Sequence, residues 1–554
     1  MPDLDAPPRT LRGIGVGPGL AAGPAARMAP PPALPEPRPV ADPERELAEA
    51  VRALEATEAD LQARSDAAHG EARDILSAQA MIAADPTLRE GVAERIRSGE
   101  DAAHALRSTF DRHRELLAAL GGYLGERAAD LDDIAHRAIA VALGRPMPGL
   151  PSPGHPFVLV ADDLAPADTV GLDTGTVLAL VTERGGPTSH TAILARALGL
   201  PAVVGCAGIL DVPDGTEVAV DGTSGQVRAG VGADEAADVR ARAAEERTRL
   251  AAGRGPGRTA DGHPVDLMVN IGSAADLRGV DLDGVAGVGL FRTEFLFLDR
   301  KDAPGLDEQV AAYAEAFGHF PEGTVVVRTL DAGADKPLPF LGLPEEPNPA
   351  LGVRGLRVAR DQPEILDTQL EAIARAAERT TADVWVMAPM VSTPVEAAEF
   401  VERARAYGLR TAGVMVEVPA AALRAERLLQ VADFLSIGTN DLSQYTLAAD
   451  RQSGAMADLL DPWQPALLRL IAACADAGRR SGRPVGVCGE AAADPALAPV
   501  LVGLGVTKLS MSARSVPAVR ARLAAYEHAR CEELARRVLD ADDAAAARAA
   551  VLSS

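Results

Sequence analysis

A chain of 554 residues is too long for a single hydrophobic core and is expected to divide into two or three domains. With 47% apolar and 24% charged residues it reads as a soluble globular protein, and no apolar run approaches the roughly 18 residues of a membrane span, so membrane insertion is not expected. The formal net charge of −24, with no long Lys/Arg run to override it, argues against nucleic acid as a partner, although the same field suits a basic protein.

The opening segment MPDLDAPPRT has neither the basic start nor the apolar stretch of a secretory signal, which predicts a cytoplasmic protein. The glycine-rich run from Gly13 to Gly19 reads as a short strand and turn, followed by proline punctuation over 30–43. No acidic ribose ligand follows these glycines in the right place, so a dinucleotide site is not expected. From about residue 44 to 143 the composition turns to Ala, Glu, Arg and Leu, and Leu47, Leu54 and Leu61 recur at seven-residue spacing. Breaks at Asp85-Pro86 and Gly121-Gly122 divide this segment into antiparallel helices of a small bundle. Beyond it, β-rich runs at 157–160, 177–181 and 217–220 predict an α/β domain. The opening strand cannot satisfy its edges alone and is expected to join that domain, which makes the bundle an insertion. Residues 233–252 form a charged helix without a wide apolar face, read as a linker.

Eight further β-like runs alternate with helical stretches, at 265–269, 285–290, 324–327, 384–387, 412–416, 433–437, 484–487 and 507–509. That pattern predicts a (β/α)8 barrel of the TIM type, whose chemistry sits on the loops after the strands. Asn270, Arg292, Arg328, Glu417, Asn440 with Asp441, and Cys488 fall at or just after these strand ends and are expected to converge at one mouth. Arg292 and Arg328 offer planar forks for phosphate or carboxylate, with Arg354 and Arg451 in nearby polar loops, although each alone would more often be a salt-bridge partner. Glu417 and Asp441 supply hard oxygens suited to Mg2+. Cys488 is either a buried structural cysteine or, beside arginines and a metal, a general acid. The four cysteines form no CxxC pair, so reduced thiols are expected.

One more segment, ERGGPTSHTAILAR, follows a strand and opens a helix. Gly185 and Gly186 permit a tight turn, and His190 falls in the first helical turn, where backbone amides favour a bound phosphoryl group and disfavour imidazolium. Neutral imidazole is the nucleophilic form. A lone histidine at this position is otherwise usually a capping or surface residue, and the anion site elsewhere in the chain weighs against that.

The segments GGPTSHTAILARALGLPAVVG, VGLFRTEFLF, RTLDAGADK, NPALGVRGLR, VMVEVPAA, DFLSIGTNDLSQYTLAADR and GVCGE, in this order, resemble enzyme I of the phosphoenolpyruvate:sugar phosphotransferase system, and the resemblance runs from about residue 11 to 540. It implies a swivelling phosphohistidine α/β domain over 11–35 and 145–231, an inserted helical bundle over 36–144 that docks the histidine phosphocarrier protein HPr, a linker helix over 232–257, and a phosphoenolpyruvate-binding barrel over 258–540. By the same resemblance His190 carries the phosphoryl group and Thr169 orients its ring. Arg292, Arg328, Asn440, Asp441 and Arg451 bind phosphoenolpyruvate, Lys336 and Arg354 assist, Glu417 and Asp441 hold Mg2+, and Cys488 protonates the enolate. The family dimerises through its barrels. Ala334 stands where the family usually has glycine, and GEAAAD replaces the commoner GELAGD; neither change removes a proposed catalytic group. A dikinase of the same broad group would need an ATP-binding domain, for which the chain shows no P-loop, and a non-catalytic regulator would have no need of the full set of polar strand-end residues.

Overall fold

Strands β1 (Arg9–Arg12), β2 (Ile14–Gly17) and β3 (Leu20–Arg27) precede the helical segment in sequence but pair with strands that follow it. The computed structural model describes residues 8–552 apart from 18, 29–31, 68–70, 121–127, 146, 152, 165–171, 187–189, 299, 301, 334–337, 345, 347, 451–455 and 457. The chain divides into two units, Met1–Ala244 and Glu245–Ser554.

In the first unit, β4 (Phe157–Ala161), β5 (Val177–Thr182), β6 (Ala202–Val204), β7 (Glu217–Asp221) and β8 (Gln226–Ala229) complete an eight-stranded sheet in the order β1-β8-β7-β3-β4-β5-β6-β2. The opening strands therefore join the later α/β segment, as edge satisfaction requires. Strand β3 is not announced by sequence, because Gly23 and Pro24 interrupt it. Proline cannot donate to a ladder and is normally confined to edges. Here β3 pairs antiparallel with β7 through Pro24 and parallel with β4 from Ala25, so the proline sits where the pairing changes partner.

Helices α1 (Pro43–Ala67), α2 (Glu71–Ala83), α3 (Pro86–Arg97), α4 (Ala102–Leu120) and α5 (Ala128–Ala142) form the inserted bundle. Leu54 and Leu61 of the seven-residue repeat are fully buried against Phe110 and Ile134, with Leu47 partly buried at the same core. Asp85 caps α3 by accepting from the Thr87 amide, and Pro86 occupies the first turn, which is why the chain breaks there. The expected break at Gly121-Gly122 lies outside the described residues. Helix α6 (His190–Leu198) packs Ala192 and Ala195 against Leu159 and Leu180 of the sheet. Helix α7 (Ala233–Ala252) contains the point at which the two units divide.

The second unit holds β9 (Asp266–Ile271), β10 (Gly287–Arg292), β11 (Thr324–Arg328), β12 (Asp383–Ala388), β13 (Thr411–Val416), β14 (Leu435–Ile437), β15 (Val485–Val487) and β16 (Lys508–Met511). All eight run parallel in a closed barrel, with β16 pairing back onto β9. Each coincides with one of the eight β-like runs in the sequence. The connection from β9 to β10 carries only the short turn Ala274–Leu277, whereas helices such as α8 (Leu306–Phe317), α9 (Pro363–Ala377) and α10 (Pro394–Ala406) fill later connections. Leu290, Val326, Met387, Met415, Phe434 and Cys488 pack inside the barrel, and a larger apolar layer fills the space between strands and helices. Among the described residues no helix is long and apolar enough to cross a membrane.

Candidate active site

Parallel strands place all their carboxyl ends at one mouth of the barrel. Arg292 is the last residue of β10 and Arg328 the last of β11, while Glu417 follows β13 and Cys488 follows β15. Asn440 and Asp441 lie in the first turn of α11 (Thr439–Leu447), directly after β14. The parallel register aligns Arg292 with Arg328.

A buried chain of alternating charge runs through this mouth. Arg328 Nη2 donates to Glu294 Oε1 at 2.9 Å, and its Nη1 lies 3.2 Å from Asp331 Oδ2 and 3.6 Å from Glu417 Oε1. Asp331 also accepts from Arg354 Nη2 at 3.1 Å, and Arg354 Nη1 donates to Asp441 Oδ1 at 3.2 Å. Glu417 accepts from the Met390 amide at 2.9 Å; Met390 holds a positive φ of 57°, which a methionine adopts only under constraint. Gly438 is needed beside it, because a Cβ there would stand 2.8 Å from Glu417 Cγ.

Arg292 differs from the other two arginines. It is half-buried, and among the described residues its side chain has no hydrogen-bond or ion-pair partner. Burial and then the neighbouring Arg328 push its pKa down, the environment of a cation in need of an anion. Burial also opposes the charge on Arg328, but Glu294, Asp331 and Glu417 hold its pKa above that of an ordinary arginine. Glu417 is pushed up by burial and by the nearby Asp441 and Asp331, so the site disfavours a second uncompensated negative charge beside them.

Cys488 is 2% exposed. Its thiol faces the Ile437 carbonyl at 3.5 Å, and its own carbonyl accepts from Asn270 Nδ2 at 3.0 Å, which ties the ends of β9 and β15 together. Burial pushes the thiol up to about 11, so it stays protonated at neutral pH and can act as an acid. Asn440 Oδ1 accepts from the Glu490 amide at 3.2 Å, joining the loop beyond Cys488 to α11.

In the first unit, His190 is the first residue of α6, and the preceding turn uses Gly185 at φ 105°, a conformation suited to glycine. Thr191 Oγ1 donates to Asp163 at 3.1 Å, fixing the start of the helix to the loop after β4. The His190 side chain, Thr169, Lys336 and Arg451 lie outside the described residues.

Glu294 and Asp331 are the buried partners that sequence reasoning passed over. The signal was present: each is a carboxylate within three residues of a barrel strand end, in RTEFLF and RTLDAG. Among the described residues no group of three or more His, Cys, Asp or Glu side chains is arranged to hold a metal alone.

Three family models match the chain in order: PEP-utilising enzyme, N-terminal, over residues 12–127; PEP-utilising enzyme, mobile domain, over 153–225; and PEP-utilising enzyme, PEP-binding domain, over 247–528. The chain is 54% identical over 547 residues to the phosphoenolpyruvate-protein phosphotransferase of Streptomyces coelicolor, covering 98% of each chain. It is 44% identical over 482 residues to the protein of that name from Haloferax volcanii, covering 84% of each, and 36% identical over 552 residues to that of Bacillus subtilis, covering 96% of each.

Proposed function

Because the chain belongs to the phosphoenolpyruvate-protein phosphotransferase family of PEP-utilising enzymes, we infer that it transfers the phosphoryl group of phosphoenolpyruvate to His190 and then to the carrier HPr, releasing pyruvate as the first step of a sugar phosphotransferase system. The observation that carries the reading is the unpaired guanidinium of Arg292, set within electrostatic reach of a buried Arg328 and a protonated Cys488.

In this scheme Arg292 and Arg328 grip the phosphate in paired hydrogen bonds, Asn440, Asp441 and Arg451 complete the pocket, and Arg354 and Lys336 assist. The imidazole of His190, with Thr169 orienting it, attacks phosphorus; the N–P bond forms as the P–O bond to the enol oxygen breaks. Cys488 then gives its thiol proton to carbon three of the enolate, which completes pyruvate. The phosphoryl group leaves His190 for a histidine of the carrier, bound at the helical bundle. The domains follow the same reading: 11–35 and 145–231 for phosphohistidine, 36–144 for the carrier, 232–257 as linker and 258–540 for the donor.

Glu417 and Asp441 fit a divalent cation, because both are hard oxygen donors and their crowding already disfavours two uncompensated charges. Mg2+ is the cation these ligands suit, with substrate oxygens and water supplying the remaining positions. When bound it neutralises charge on the transferring phosphoryl group. We further assign a cytoplasmic homodimer joined through the barrels, as the family resemblance implies. Sedimentation would report the dimer.

The test is direct. Protein incubated with Mg2+ and labelled phosphoenolpyruvate gains an acid-labile label that passes to the carrier, and His190→Ala gains none. A label retained in His190→Ala would overturn the assignment.

A further inference from the structure

Each turnover in this scheme leaves Cys488 as a thiolate in a nearly water-free position, where burial strongly favours the thiol. A second turnover cannot begin until the sulfur regains a proton. While the pyruvate just formed still occupies the mouth, the interior of the barrel is the other direction from which a proton can arrive.

That interior is not wholly apolar. The strand register pairs Ser436 with Gly486, Gly486 with Lys508, and Lys508 with Asp266, which sets these residues at one level around the barrel, two residues below Cys488. Gly486 puts no side chain between Ser436 and Lys508. A cavity of about 20 Å3 lies here, lined by Trp385, Phe434, Ser436, Cys488, Lys508 and Ser510 among others. It has room for one water molecule and offers that water several polar partners. Lys508 Nζ lies 5.0 Å from the centre of the Trp385 ring and donates to Asp266 Oδ2 at 2.6 Å. Asp266 and Lys508 are the first residues of their strands, and the Asp266 side chain is 48% exposed, so this pair opens to solvent at the amino end of the barrel.

We propose that Cys488 is reprotonated from the end of the barrel opposite the substrate, through Lys508, one cavity water and Ser436. Ser436 Oγ–H gives its proton to the thiolate and takes one from the water. The water takes one from the Lys508 ammonium, and the neutral amine regains its proton from solvent beside Asp266. One proton enters from solvent, and the other groups end as they began. Ser436 and Lys508 are relay residues that do not touch the substrate. The proposal rests on Cys488 being the acid of the function inferred above.

The first turnover draws on the proton already on Cys488, and only later ones need the relay. Rapid-quench measurement with labelled phosphoenolpyruvate, Mg2+ and carrier therefore separates the two. Lys508→Met keeps the side-chain length and loses the proton, and Ser436→Ala loses the hydroxyl. In both, the first equivalent of pyruvate and of His190 phosphorylation is expected at the wild-type rate, with steady-state turnover slowed about tenfold or more. An equal fall in both phases would mean a structural role, and no fall in either would mean another proton source; each outcome overturns the proposal. Failure of the wild-type protein to form pyruvate would instead overturn the functional reading itself.

Discussion

The guanidinium of Arg328 and the carboxylate of Glu294 meet at 2.9 Å, and both side chains are almost wholly buried. Truncating one partner of such a pair strands a charge in a site it cannot leave, at a cost of about 3–5 kcal/mol. Arg328 keeps Asp331 and Glu417, which places Glu294→Ala at the low end of that range. Glu294→Gln retains an acceptor and should lose less. Urea unfolding checks both, and an unchanged midpoint for Glu294→Ala would show that the pair contributes nothing.

Arg292 should behave in the opposite way. Nothing among the described residues pairs with it, so Arg292→Ala is expected to stay within about 0.5 kcal/mol of wild-type stability. Losing a charge-assisted bond of about 1.5–3 kcal/mol to substrate lowers kcat/KM roughly 10- to 150-fold. Arg292→Lys restores charge without the fork and should recover only part of the loss. Steady-state kinetics and thermal melts on the same samples distinguish a binding role from a structural one.

For Cys488→Ser the expectation is a fall of about 100- to 10,000-fold in kcat, because an alcohol is a far weaker acid than a thiol. Binding of phosphoenolpyruvate, followed by calorimetry, should be nearly unchanged. In the wild type the thiol is protonated up to about pH 11, so the loss of rate due to its ionisation should fall near that pH rather than near 9. Unchanged turnover in the serine variant would remove Cys488 from the chemistry.

Cys474 gives a stability prediction with a definite sign. Burial raises its pKa from 9.0 to about 12, so the folded protein keeps a thiol that the unfolded chain loses above pH 9. Its contribution is intact below pH 9 and declines as pH rises towards 12, by about 1.4 kcal/mol per pH unit. Cys474→Ala should cost some stability at neutral pH and show a shallower alkaline decline by that amount. Equal slopes from pH 9.5 to 11 in the two proteins would contradict it.

The barrel could be read from sequence because its eight strands are short apolar runs, six of them with a polar residue at or just after the strand end whose type suits anion, metal or proton chemistry. The helical bundle was legible for a similar reason: Leu54 and Leu61 repeat at a spacing that puts them on one buried face. Strand β3 was not, since Pro24 and Gly23 mark it as a turn, and only the change of partner from β7 to β4 makes a proline acceptable there.

The sequence by itself determined which residue types stand at the barrel mouth, because strand period and strand ends are local properties of the chain. It did not determine which arginine is left for a ligand. Arg328 meets Glu294 across 34 residues and Arg354 meets Asp441 across 87, and no local pattern encodes those separations. Only closure of the barrel brought the carboxylates to two arginines and left Arg292 unpaired among the described residues. The reason is electrostatic: in a buried site each charge seeks its nearest opposite, and nearness is a property of the tertiary fold.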